Sequence, residues 1–171
     1  MSRQMIRHEG DTAERLFFAA VPEAFPPEAA SFGDARILVD GCWHHLEIKE
    51  CHARTINQVR PIHYTPLVVY APGHEPPWAV IAPDTLVRLA CGRARGQHTE
   101  IPFECCALTL GVLPDSCWCR AEELAIAAGR AVRHGLGNQR LIAAMIHLGV
   151  ELRELDAATK IRVLYGGKEA K

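Results

Sequence analysis

The stretch Asp34-Ala-Arg-Ile-Leu-Val-Asp-Gly-Cys-Trp-His-His-Leu-Glu-Ile-Lys-Glu50 decides how this chain is read. Residues 34–40 are apolar and partly β-branched at their centre, the composition of a strand. Asp40-Gly41 is a strong short-range hairpin signal, because both turn positions need a backbone that Asp and Gly adopt at low cost. The returning strand covers about residues 43–50. Side chains alternate across a strand, so Leu46 and Ile48 share one face and Glu47 and Lys49 share the other.

Working outward, residues 9–20 read as a helix capped by Asp11 or Thr12, with Leu16, Phe17 and Ala20 on one face. Pro22, Pro26 and Pro27 then break the chain. After the hairpin, residues 54–63 read as a short helix interrupted at Pro61. Residues 66–71 are continuously apolar, the pattern of a strand buried on both faces. Trp78–Ala82 reads as a further strand, and Pro83-Asp84 opens a helix to about Cys91. A basic turn, Gly92-Arg-Ala-Arg-Gly-Gln-His98, follows. Residues 121–134 and 138–148 read as helices separated by Gly135-Leu-Gly137. The expected fold is α/β: a mixed β-sheet core flanked by helices over residues 1–115, with a helical extension over residues 116–171 used for packing or dimerisation.

Composition narrows the function. The chain has 171 residues, 49% of them hydrophobic and 23% charged, which suits one globular core. No apolar run approaches the ~18 residues of a membrane span, and no apolar stretch follows the N-terminal arginines as a secretory signal requires. Seven cysteines without a small-domain framework point to a reducing cytoplasmic setting. Residues 1–119 carry 10 basic and 14 acidic side chains, and residues 120–171 carry 9 and 6. That balance is not a non-specific nucleic-acid coat, although a local basic surface is compatible with it. Of 19 basic residues only four are lysines, and Lys49 is the only one before position 160.

Asp34, Glu47 and Lys49 form the constellation that carries chemistry. Two carboxylates and an amine at one hairpin edge are costly to bury without a ligand. They suit Mg²⁺, which takes hard oxygen donors and keeps several waters. A lysine beside such a site can orient a water, stabilise charge on a phosphate or act as a base, whereas arginine stays protonated. The bland alternative is a surface hairpin with an ordinary salt bridge.

These residues resemble the PD-(D/E)xK nuclease superfamily, whose restriction-endonuclease-like fold places an Asp at one strand end and a (D/E)-x-K on the next strand. The resemblance covers about residues 9–90. It implies that Asp34 and Glu47 are ligands of Mg²⁺ or Mn²⁺, that Lys49 handles the attacking water, and that Glu14 on the first helix is an accessory ligand or water holder. Gln58 resembles a glutamine that some branches place near the metal. The set is similar to that of Holliday-junction resolvases and small restriction enzymes. Gly33 stands where the family pattern has Pro, and Asp40 rivals Asp34 for the aspartate position. The implied activity is a metal-dependent DNA endonuclease acting as a homodimer, with a branched-DNA resolvase, or a non-catalytic DNA-binding or assembly subunit, as alternatives.

Arg54 and Arg60, and Arg93 and Arg95 in the basic turn, are the candidate phosphate contacts. Each has the plainer reading of a solvated surface residue. His45 shares parity with Glu47 but reads better as core or edge packing. Cys105-Cys106 and Cys117-Trp-Cys119 lack the usual zinc spacing and read as buried thiols. Cys51 beside the motif suggests sensitivity to oxidation. The helices around Gly135-Leu-Gly137 have the outline of a helix–turn–helix, with packing or dimerisation the favoured use.

Overall fold

The alternation of apolar residues in the central strands is resolved by two cores, one on each face of a single sheet. The computed structural model describes residues 3–29, 33–59, 66–91 and 106–134. The elements are α1 (Arg3–Ala20), β1 (Ala35–Val39), β2 (Cys42–Glu50), β3 (Thr55–Val59), β4 (Leu67–Tyr70), β5 (Trp78–Ile81), α2 (Pro83–Cys91), β6 (Cys106–Thr109), β7 (Trp118–Cys119) and α3 (Leu124–His134), with short 3₁₀ turns before β7 and α3. The fold is mixed α/β. Its main sheet has five strands in the order β1-β2-β4-β5-β7, and β3 and β6 form a separate two-stranded ribbon.

The β1–β2 pair is antiparallel, with Ala35 opposite Leu46 and Val39 opposite Cys42. Asp40 (φ 51°) and Gly41 (φ 78°) make the turn with left-handed backbones, as the Asp-Gly signal predicts. β2 runs parallel to β4, and β4 is antiparallel to β5.

On one face, Leu46, Ile48, Val68, Trp78 and Val80 pack with Ala13 and Phe17 of α1 and with Leu124, Ala128 and Val132 of α3. On the other face, Leu67, Val69, Ala79 and Ile81 pack with Ile56, Val59, Leu86 and Leu108. Successive residues of β4 and β5 therefore enter opposite cores, which is why both strands read as unbroken apolar runs. Phe17 and Leu46 are fully buried in the first core. Each contributes about 1.5–3 kcal/mol relative to exposure.

Several expectations are corrected. Residues 55–59 are not helical; they form β3, paired with β6 at Thr55↔Thr109 and Ile56↔Leu108. Asp11 and Thr12 do not cap α1, which begins at Arg3. Residues 116–134 do not stand apart as an extension: β7 pairs with β5, and α3 supplies Leu124, Ala128, Ala131 and Val132 to the first core. The basic turn at residues 92–98 and everything after residue 134, including the expected helix at 138–148, lie outside the described residues. Among the described residues, no helix is long and apolar enough to cross a membrane.

Candidate functional site: an acidic pair and a lysine at the hairpin edge

Asp34 is fixed to β2 at two points. Its backbone N–H donates to the Leu46 carbonyl at 2.8 Å, and its Oδ2 accepts from the Ile48 N–H at 2.8 Å. The paired ladder ends at Ala35↔Leu46; Asp34 lies just beyond it, near enough to Glu47 for that charge to act on its carboxyl. Lys49, two residues along the same strand face, brings its Nζ to 3.4 Å from Glu47 Oε1. Glu47 and Lys49 point away from the Leu46–Ile48 core, at the border where the second core gives way to solvent. The Lys49 side chain is 21% exposed and that of Glu47 39%.

Gly33 makes this approach possible. Its φ is +93°, which L side chains avoid, and a Cβ there would lie 2.7 Å from the Leu46 carbonyl oxygen. A proline, locked near φ −65°, could not occupy this position. Glycine at position 33 thus has a local cause: the backbone before Asp34 presses directly on β2.

Burial pushes the Asp34 carboxyl above the usual aspartate range, and the Glu47 charge pushes it the same way. The Ile48 amide and the Lys49 charge work against the rise. The three side chains therefore share one electrostatic environment, in which the Glu47 charge opposes ionisation of Asp34 and the Lys49 charge favours it.

Asp40 does not share it. It sits at the hairpin turn, 71% exposed, and pairs with Arg133 of α3 at 3.1 Å. Glu14 is half-buried on α1, the helix that packs on the Leu46–Ile48 side of β2. Among the described residues, no group of three or more His, Cys, Asp or Glu is arranged to hold a metal ion. Asp34 and Glu47 come together; Glu14 does not complete a three-carboxylate set with them.

Gln58 lies on β3 rather than on a helix, and its side chain is outside the described set. Arg54 is exposed in the β2–β3 turn, where its carbonyl accepts from Leu110 N–H at 2.8 Å. Arg60, Arg93 and Arg95 lie outside the described residues. His45 pairs with Glu28 at 2.9 Å, on the edge side of the two packing roles open to it. Cys51 is buried, donates to the carbonyls of Ala53 (3.2 Å) and Thr55 (3.4 Å), and burial raises its thiol pKa. That environment disfavours the thiolate, contrary to the oxidation-sensitive reading. Cys117 is likewise held up by burial, and Cys119 to about 11.

Glu50 escaped the reading of the sequence. Its side chain is only 5% exposed. It accepts from the Ala13 N–H of α1 at 3.2 Å and from His52 Nε2 at 2.5 Å. A signal was present: Glu50 has the parity of Leu46 and Ile48, so its carboxylate had to face the helix-covered core and find donors there. It ties α1 to the end of β2 that carries Lys49.

No protein family, curated protein or solved structure matches the chain.

Proposed function

We propose that this protein is a divalent-metal-dependent DNA endonuclease of the PD-(D/E)xK kind, with a restriction-endonuclease-like core. The observation that carries this reading is the gathering of Asp34, Glu47 and Lys49 about one stretch of β2, with Asp34 held by the Ile48 N–H at 2.8 Å, Lys49 Nζ at 3.4 Å from Glu47, and the Glu47 and Lys49 charges both acting on the Asp34 carboxyl. Two carboxylates held against each other leave repulsion that a hard cation relieves. Mg²⁺ needs only one or two carboxylates when water and substrate phosphate fill the remaining positions, so this donor pair fits it. Asp34 and Glu47 would hold the ion. When bound, it would polarise the scissile phosphate and lower the pKa of a water.

The chain's own groups do the rest. The Ile48 N–H fixes one Asp34 oxygen and so sets the direction of the carboxylate. The Glu47 carboxylate holds Lys49 Nζ on the same strand face, where the ammonium neutralises charge on an approaching phosphate and orients the water beside it. Glu50 anchors α1 behind the strand, fixing the backbone from which Lys49 projects.

The test is incubation with supercoiled plasmid, linear duplex and a four-way junction, with Mg²⁺ and with EDTA. The reading expects Mg²⁺-dependent cleavage that Lys49→Ala abolishes while DNA affinity stays within a few-fold. Cleavage confined to the junction would make the protein a resolvase. Absence of metal-dependent cleavage on all three would leave a DNA-binding or assembly subunit as the better description.

A further inference from the structure

The face that carries Glu47 and Lys49 continues toward the hairpin turn as an aromatic shelf. On β2 the same parity gives Trp43 and His45, and on β1 it gives Arg36 and Leu38, with Arg36 opposite His45 and Leu38 opposite Trp43. Phe25 joins this face from outside, exchanging backbone hydrogen bonds with Arg36 at 2.9 and 2.8 Å. Its ring meets Trp43 edge-on, 5.6 Å between centroids.

Three large apolar side chains here are open to solvent: Phe25 is 50% exposed, Trp43 43% and Leu38 55%. The shelf is nevertheless well fixed. The Arg36 guanidinium lies 4.5 Å from the Trp43 ring centre. Glu28 holds that guanidinium in an ion pair and accepts His45 Nε2 at 2.9 Å. An indole braced by a cation and a second ring, yet left nearly half open, has little ordering entropy left to lose on receiving a flat partner.

We infer that Trp43, braced by Arg36 and Phe25, is a stacking platform for an unpaired nucleobase of the strand engaged at Asp34, Glu47 and Lys49. The inference rests on the nuclease reading for its partner and adds the substrate class: DNA with single-stranded nucleotides beside the cut. Two features select a base over another occupant. The shelf is continuous with the phosphate-handling corner, since Trp43 and Glu47 are four residues apart on one strand, about 13 Å. Its charges also cancel locally, because Glu28 neutralises Arg36, so it offers a π-face rather than a charged surface. Stacking on aromatic residues accepts any base and requires the base to be unpaired.

The test uses the whole protein in EDTA, so that binding is read without cleavage. Labelled oligothymidylate and a blunt duplex of equal length are titrated against wild type, Trp43→Ala, Trp43→Phe and Lys49→Ala. Trp43→Ala is expected to weaken single-strand binding about tenfold and duplex binding less than about twofold, with Trp43→Phe recovering most of the loss. Oligothymidylate should quench tryptophan emission in wild type and Lys49→Ala alike, and much less in Trp43→Phe, because Trp78 is buried and the half-buried Trp118 is already stacked on His74, 3.5 Å between ring centroids. Equal loss on both DNAs, or no loss on either, overturns the platform. So does emission that changes with protein concentration in the absence of DNA, which would assign the shelf to a second copy of the chain. If metal-dependent cleavage fails while the single-strand effects of Trp43 stand, the nuclease reading falls and the platform survives.

Discussion

Asp34 is tied to Ile48 of β2, its Oδ2 accepting a 2.8 Å hydrogen bond from the Ile48 amide, and there the Glu47 charge acts on its carboxyl. The two carboxylates are kept near each other by the bonds of Asp34 to Leu46 and Ile48, not by mutual attraction. The Asp34 carboxyl is raised by burial first and by Glu47 second. A raised pKa means that the folded chain prefers the protonated acid, so at neutral pH the ionised Asp34 opposes folding. Residues kept at a cost to stability mark functional sites.

Asp34→Asn therefore separates stability from activity. The amide oxygen still accepts from Ile48 N–H, and the repulsion with Glu47 is gone. The melting temperature should stay level or rise, where each 1 kcal/mol gained corresponds to about 2–4 °C for a chain of this size. Cleavage should fall by at least about 100-fold. A melting temperature several degrees lower, or cleavage near wild type, would show that Asp34 serves the hairpin and not the chemistry.

Lys49 pairs with the acidic couple through Glu47, its Nζ 3.4 Å from Oε1. Lys49→Ala should lower turnover by about 10²–10⁴-fold, the range for a positioned group acting on protons or developing charge. Lys49→Arg keeps the charge but not the compact ammonium, and should leave DNA affinity near wild type without restoring turnover. Single-turnover cleavage at saturating DNA reads this directly. Full rescue by arginine would reduce Lys49 to a charge that holds Glu47 in place.

The hairpin was legible because each of its signals is local: the Asp40-Gly41 turn and the alternation of Leu46, Glu47, Ile48 and Lys49. The buried character of β4 and β5 was legible for the same reason. β3 was not, because Thr55-Ile-Asn-Gln-Val59 is half polar and its partner, Cys106–Thr109, lies some fifty residues further on; a strand stabilised by so remote a pairing leaves little local trace. The choice between Asp34 and Asp40 was equally undecidable from spacing. It depends on which aspartate the backbone presses against β2, and that is set by the left-handed Gly33.

Gly33→Ala tests that dependence. A Cβ at this position would sit 2.7 Å from the Leu46 carbonyl oxygen on a backbone at φ +93°, so the segment before β1 must move. The expected loss is about 1–3 kcal/mol of stability, read by urea unfolding, together with loss of cleavage as Asp34 shifts from Glu47. By contrast, Gly73→Ala meets nothing within 4 Å and should leave cleavage unchanged. Equal tolerance at both positions would refute the close approach as the device that places Asp34.

The thiols divide by exposure. Cys42 is exposed on β2, whereas Cys51 and Cys119 are buried and raised in pKa, Cys119 to about 11. Brief alkylation of the native protein near pH 8, followed by peptide mapping, should label Cys42 well before Cys51, Cys117 or Cys119. Cleavage by a Cys42→Ser variant should survive the same treatment. Rapid labelling of Cys51 with loss of activity would instead reinstate it as an oxidation-sensitive neighbour of the site.

His44 gives the fold a pH dependence of its own. It lies opposite Ile37 on the core side of β2, and burial lowers its pKa, with the His45 charge adding to the fall and Asp40 opposing it. The unfolded chain therefore takes up this proton first as pH drops below about 6.5, and stability declines from there toward the lower folded-state value. Above that window the imidazole is neutral in both states and contributes no slope. His44→Gln removes the titration while keeping a polar side chain of similar reach. Between pH 7.5 and 5.5 the urea midpoint of the wild type should fall further than that of the variant, because only the wild type loses the His44 contribution. Parallel midpoints would show that His44 titrates alike in the folded and unfolded chains, and that its burial against β1 is looser than the register implies.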